Sequence, residues 1–178
     1  MKVRNVHERV LVAPASRVGA LLDGLASSED ALWPHQAWPA MKFDRPLQVG
    51  AIGGHGPIRY GVEEYEPGRS ILFRFTAPRG FDGTHGLTVE RVDKDRTRLS
   101  HVLEMRASGP AKLSWPVVFR PLHDALVEDA LDRAERHLGV TPRPRQWSPW
   151  VKVLRWMLAG RRGRGGADKT GTGDGRSS

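Results

Sequence analysis

The chain contains no cysteine. Disulfides, thiolate metal ligands and a thiol nucleophile are therefore excluded, and the composition fits a reducing compartment. Long hydrophobic runs are also missing. No stretch approaches the ~18 consecutive apolar residues that a bilayer-crossing helix needs. The first segment, MKVRNVHERVLV, is broken by charge, so it has no signal-peptide core and reads as a strand. A cytoplasmic location is the expectation. Two common catalytic signatures are absent too. The glycines of Gly53-Gly54-His55-Gly56 lack both the Gly-Lys-Ser/Thr of a phosphate loop and the G-x-G-x-x-G of a dinucleotide turn, so a flexible hairpin connection is expected there. No G-x-S-x-G elbow supports serine hydrolase chemistry.

What remains is a chain of 178 residues with net charge +8, a length that suits one core. The charge is unevenly placed. Residues 1–138 hold 19 basic and 18 acidic groups, whereas the stretch from Gly139 onward holds nine basic groups and two acids. The high isoelectric point thus belongs to a tail, and the body lacks the basic face that nucleic-acid recognition requires. The expected division is a domain over 1–139 and a basic tail over 140–178. No specific nucleic-acid partner is expected.

Hydrophobic periodicity gives the elements of the body. Val6, Val10 and Val12 alternate with His7 and Arg9 in an opening strand, and Pro14 starts a helix carrying Val18, Leu21, Leu22 and Leu25 at helical spacing. Ser28, followed by Glu29 and Asp30, suggests a short second helix over 28–32. Strands are expected at roughly 38–45, 56–66, 69–76, 83–92 and 97–107, separated by Pro67-Gly68, by Pro78 with Gly80 and Gly83, and by Asp93-Lys94-Asp95. Such short connections imply antiparallel neighbours. A long helix over about 113–138 follows, disturbed at its start by Pro116 and Pro121. Its apolar arc holds Phe119, Leu122, Leu126, Val127, Ala130, Leu131, Ala134 and Leu138. Asp124, Glu128, Asp132, Glu135 and Arg136 take the opposite, solvent side. The order is that of an α+β domain.

Several of these motifs occur together in a known arrangement. They are the strand leading into Ala13-Pro14-Ala15-Ser16-Arg17-Val18, then Val49-Gly50, and the run from Arg59-Tyr60-Gly61-Val62 to Glu66-Pro67-Gly68-Arg69. Gly86-Leu87-Thr88-Val89-Glu90, Thr97-Arg98-Leu99-Ser100-His101 and the closing helix with Leu126-Val127, Ala130-Leu131 and Arg133-Ala134-Glu135 complete the set. In this order, across residues 1–139, they resemble the SRPBCC superfamily. That superfamily includes the START lipid-transfer domains, the pollen-allergen fold and the polyketide cyclase/dehydrase group. The resemblance implies a helix-grip fold, in which a curved antiparallel sheet wraps a long C-terminal helix around a ligand cavity. It implies binding of a hydrophobic or amphipathic small molecule, such as a lipid, a polyketide or another aromatic. The competing implication is a cyclase/dehydrase-like enzyme using cavity histidines or carboxylates. No cofactor is expected.

The strand faces nominate the lining of that cavity. Tyr60 and Val62, Phe73 and Phe75, His85 and Leu87, and Leu99, His101 and Leu103 each share a side, and Leu122, His123 and Leu126 lie on the helix arc. His85, His101 and His123 either satisfy themselves with single hydrogen bonds or orient a ligand by converging on one interior. Their spacing shows no metal-ligand pattern, so no metal site is expected. Glu8, in register with Val6 and Val10, and Glu64, in register with Val62, are candidate cavity carboxylates.

The tail has its own pattern. Ser148-Pro149 can cap and start a helix over about 148–160. Trp147, Trp150, Leu154 and Met157 fall on its apolar side, with Arg155 facing away and Trp156 on the polar side. Arg161 and Arg162 follow. A basic amphipathic helix edged with tryptophan suits peripheral contact with an anionic membrane, the folded domain itself, or a protein partner. The Gly/Arg/Ser/Thr-rich stretch over 160–178 is expected to be disordered.

Overall fold

The computed structural model describes residues 1–143 and 145–164, with side chains described as far as residue 158. Seven strands form one antiparallel sheet: β1 (Lys2–Leu11), β2 (Lys42–Phe43), β3 (Ile52–His55), β4 (Ile58–Glu66), β5 (Ser70–Ala77), β6 (Phe81–Arg91) and β7 (Thr97–Ala107). The spatial order is β1-β7-β6-β5-β4-β3-β2. The chain thus meanders from β2 to β7, and the opening strand closes the row beside the last. Helix α1 (Ala15–Asp23) follows β1. The C-terminal helical segment runs through α2 (Ala111–Ser114), a π-turn (Trp115–Phe119) and α3 (Arg120–His137). This is the helix-grip α+β architecture that the sequence predicts.

The irregular start of the long helix has a local cause. Pro116 and Pro121 lack the N–H that continues an α-ladder. The chain widens to a π-turn, and Arg120 N–H bonds the carbonyl of Trp115, five residues back.

Three expectations change. No helix forms over 28–32. There the Asp30 carboxylate accepts hydrogen bonds from the N–H groups of Ala26, Leu32 and Trp33 at 2.7–2.9 Å, so a side chain organises a turn in place of helical bonds. The loop is fixed to α3 by Trp38 Nε1, which donates to Asp129, and by Arg133, which donates to Gln36 and to the Asp30 carbonyl. The glycine-rich segment is not a flexible connection but strand β3. A Cβ on Gly53 would stand 2.1 Å from the Lys42 carbonyl of β2, so only glycine lets the two strands pair. The β-bulge between Val62 and Glu64 shifts the register by one, which leaves Val62 buried and turns Glu64 to solvent.

Contacts divide the chain into Met1–Arg145 and a second unit from Gln146 onward. The second unit contains α4 (Pro149–Arg164), which starts as expected: the Ser148 hydroxyl accepts from Val151 N–H at 3.2 Å. The helix continues past residue 160, where disorder was expected, and residues 165–178 lie outside the described residues. Among the described residues, no helix is long and apolar enough to cross a membrane.

Candidate functional site

The sheet face that meets α3 is set by strand register. Opposite pairs place Tyr60 beside Phe75, Phe73 beside His85, Leu87 beside His101 and His101 beside His7. One face therefore carries aromatic and imidazole rings across five strands. Tyr60, Val62, Phe73, His85, Leu99, His101, Leu103 and Leu126 are buried, and Phe75, Leu87, Leu122 and His123 are half-buried. Ring contacts bring Tyr60, Phe73, Phe75, His85, His101 and His123 of this set together.

Five histidines and a tyrosine run through this interior as a continuous row. His55 Nδ1 shares a 2.9 Å hydrogen bond with the Tyr60 hydroxyl. Tyr60 meets His85 edge-on at 4.8 Å between ring centres. His85 Nδ1 lies 3.4 Å from His101 Nε2. The His101 and His123 rings are 4.9 Å apart, and His123 lies 5.9 Å from His7. Phe73 and Phe75 stack on His85 at 5.0 and 4.7 Å. Trp33 packs on His55, and Trp115 on His123.

The rings pack on one another across the face where a cavity was expected. A recess of about 160 Å³, bordered by Arg17, Leu21, Glu29 and Leu138, includes none of the nominated lining residues and is smaller than the ~300 Å³ of ordinary small-molecule sites.

Electrostatics divide the row. Burial depresses His85 and His101 well below the ordinary histidine value, with neighbouring imidazoles adding to the effect. Burial, then the potentials of His123 and Arg59, lower His55 to about 3. Tyr60 is pushed far up by burial. These groups are neutral at pH 7. Among the described residues, the nitrogens His85 Nε2, His101 Nδ1 and both of His123 have no hydrogen-bond partner.

The other end is charged. His7 Nδ1 donates to Glu128 at 2.9 Å and Nε2 to Asp124 at 3.1 Å, and Asn5 donates to the same Asp124 oxygen at 2.8 Å. Arg9 bonds Asp132, Glu135 and Glu128, the last two at 2.8 Å. The hydrogen bond to Asp124 raises His7 above the usual histidine value against its own burial, with Glu128 adding to it. Burial opposes ionisation of Asp124, yet His123, His7 and Asn5 together outweigh it and hold the group well below the carboxylate range; the His123 nitrogen, at 3.7 Å, acts through space.

This seam overturns two readings. The acids of α3 are not a solvent face, since Asp132 is 2% exposed. On β1, the polar side and not the valine side faces α3. Val6, Val10 and Val12 are exposed, while Asn5, His7 and Arg9 reach the helix acids. Glu8 consequently points away from the interior, within 3.9 Å of Arg98. His7 and His55 escaped notice because each sits on a strand whose apolar pattern points elsewhere. The usable signal was the parity of His7 with Val3 and Leu11.

In the second unit, Trp150, Val153, Trp156 and Met157 are exposed, while Val151 and Leu154 are buried. The exposed apolar stripe therefore includes Trp156, assigned to the polar side, and excludes Leu154. Arg155 lies over the Trp147 ring at 3.9 Å. The side chains of Arg161 and Arg162 lie outside the described residues.

No protein-family model matches the chain, and no curated protein matches it. Solved structures do. Norcoclaurine synthase of Thalictrum flavum superposes with a TM-score of 0.59 at 15% identity, covering 78% of this chain and 97% of that one. A protein from Thermobifida fusca gives 0.57 at 16% identity, covering 81% and 99%. CalU16 from Micromonospora echinospora gives 0.55 at 16% identity, covering 90% and 86%. At such identities the likeness is one of fold, and with the register and helix placement above it shows that this chain carries a helix-grip α+β fold.

Proposed function

We propose that the domain binds a small aromatic or amphipathic molecule against the ring-lined face of the sheet, with neutral imidazoles supplying its polar contacts. The observation that carries this reading is the set of partnerless nitrogens on His85 and His101, each 7% exposed and surrounded by aromatic rings. Buried polar atoms normally find a hydrogen bond, so a ligand carrying hydroxyl or carbonyl groups accounts for them. The same fold holds dopamine and hydroxybenzaldehyde in norcoclaurine synthase. Since the protein's own rings pack on one another along this face, ligand binding requires them to part.

Native mass spectrometry of freshly purified full-length protein tests the reading, together with titration by an apolar fluorophore. A bound small molecule is expected, and His101→Trp should abolish fluorophore binding. Unchanged binding by that variant would place the fluorophore elsewhere and remove the support. The enzymatic alternative rests on the His85–His101 pair, whose neutral imidazoles can accept and return a proton. It requires the bound molecule to change mass or structure on incubation.

The second unit supports peripheral contact with an anionic membrane. Trp150, Val153, Trp156 and Met157 lie at i, i+3, i+6 and i+7, one exposed face of α4, in a tail with nine basic groups and two acids. Basic residues near an anionic surface contribute about 1 kcal/mol each, an attraction that salt weakens. Full-length protein should pellet with vesicles containing phosphatidylserine, and Trp156→Glu should not. If the variant pellets equally, the tail acts only as a polycation.

A further inference from the structure

The geometry points to a divalent transition-metal site formed by His7, His123 and Asp124 at the junction of β1 and α3. One ligand atom from each lies within 4.8 Å of the other two. In a tetrahedral site with bonds of about 2.0–2.1 Å, ligand atoms stand roughly 3.3 Å apart. Closing the group therefore takes rotations of about an ångström.

Three features beyond proximity support the site. Both ring nitrogens of His123 are buried and have no hydrogen-bond partner among the described residues, so one can ligate. Glu128 binds His7 Nδ1 at 2.9 Å, which fixes the ring with Nε2 toward Asp124, 3.1 Å away. A carboxylate behind a ligating imidazole is the usual means of orienting it. Asn5 holds the Asp124 oxygen from the other side at 2.8 Å.

The charge is also favourable. Asp124, Glu128, Asp132 and Glu135 line this seam of α3, opposed by Arg9, by His7 and by Arg120, whose Nε is 3.7 Å from Asp124. A cation relieves that excess. It takes the place of the Nε2 proton of His7, which is released to solvent. Two imidazole nitrogens and one carboxylate oxygen suit Zn²⁺ or Co²⁺ better than Ca²⁺ or Mg²⁺. Three protein ligands leave a position for water or for a polar group of a bound molecule.

Calorimetric titration of the metal-stripped full chain with Zn²⁺, and visible absorption after addition of Co²⁺, test the site. One equivalent should bind, with tetrahedral cobalt bands. His123→Ala and Asp124→Asn should each weaken affinity at least 10-fold and remove the bands. Glu128→Gln, which spares every ligand, should weaken it about 10-fold. His35→Ala and His137→Ala, both at exposed positions, should change nothing. If His123→Ala fails to fold, the near-isosteric Asp124→Asn decides. Absence of one-equivalent binding by the parent overturns the inference. So does full binding by Asp124→Asn, or loss of binding only in the His35 or His137 variants, which would assign the metal to surface histidines.

Discussion

The two ends of the sheet interior are built on opposite principles. Around β4, β5 and β6 the inward residues are apolar or aromatic, and contacts such as Phe43 on Phe73 at 5.9 Å and Tyr60 on Phe73 at 5.0 Å hold them together. At β1 the inward residues are Asn5, His7 and Arg9, held by acids of α3. The first region gains from removing carbon from water. The second gains only if every charge it encloses is matched, because desolvating an ion costs more than a single imperfect contact returns. An edge strand tolerates this arrangement, since its outward valines meet solvent singly. The partnerless imidazoles lie where the two regimes meet.

The contrast can be broken first at the aromatic end. Phe73 is 1% exposed and packs on three rings, so Phe73→Ala should cost about 3–5 kcal/mol in urea unfolding. A loss under 1 kcal/mol would mean that the rings are loosely packed.

Arg9→Met tests the charged end. It leaves Asp132, Glu128 and Glu135 together without their shared cation. The expected loss is about 3 kcal/mol at pH 7, because removing one partner of an enclosed set is far costlier than the net value of the pair. A neutral result would mean that water reaches the seam.

Acid titration of stability probes the neutral end of the row through His55, which lies outside the charged seam. Its folded value of about 3 is below the ordinary 6.5 of the unfolded chain. The unfolded state therefore binds the proton first. The stability contributed by the neutral ring is complete above pH 6.5 and falls as pH drops toward 3. The slope approaches 1.4 kcal/mol per pH unit, or about 2 kcal/mol lost at pH 5. His55→Gln should remove that part of the acid limb. An unchanged limb would show that His55 takes up its proton in the folded state.

The smallest effect is expected from Val10→Thr, at 42% exposure on the outer face of β1. Unfolding midpoints should move by no more than about 0.5 kcal/mol. The informative quantity is the ordering: a strand read from its hydrophobic pattern would lose more from Val10→Thr than from Arg9→Met.

Legibility followed the same division. On β5, β6 and β7, alternation identified Phe73, His85, Leu99, His101 and Leu103 as inward, because there the buried face is also the apolar one. On β1 the rule inverted, and with it the reading of Glu8 and of the helix acids. The bulge at Val62/Glu64 reversed parity within one strand. The Gly53-Gly54 run could not show that a strand edge, β2, lies against it, since close approach leaves no mark beyond the absence of side chains.

The sequence by itself determined the order and type of the main elements, the antiparallel meander, the proline-disturbed helix and the capped basic tail helix. These follow from periodicity, prolines, glycines and caps, which act within a few residues. Only the tertiary structure decided that β1 pairs with β7, setting His7 opposite His101, and that the acids of α3 meet Asn5, His7 and Arg9. The partners in those contacts are about 100 or more residues apart. A polar side chain carries no sign of whether water or a distant charge will satisfy it, so burial of the seam was fixed only once sheet and helix were brought together.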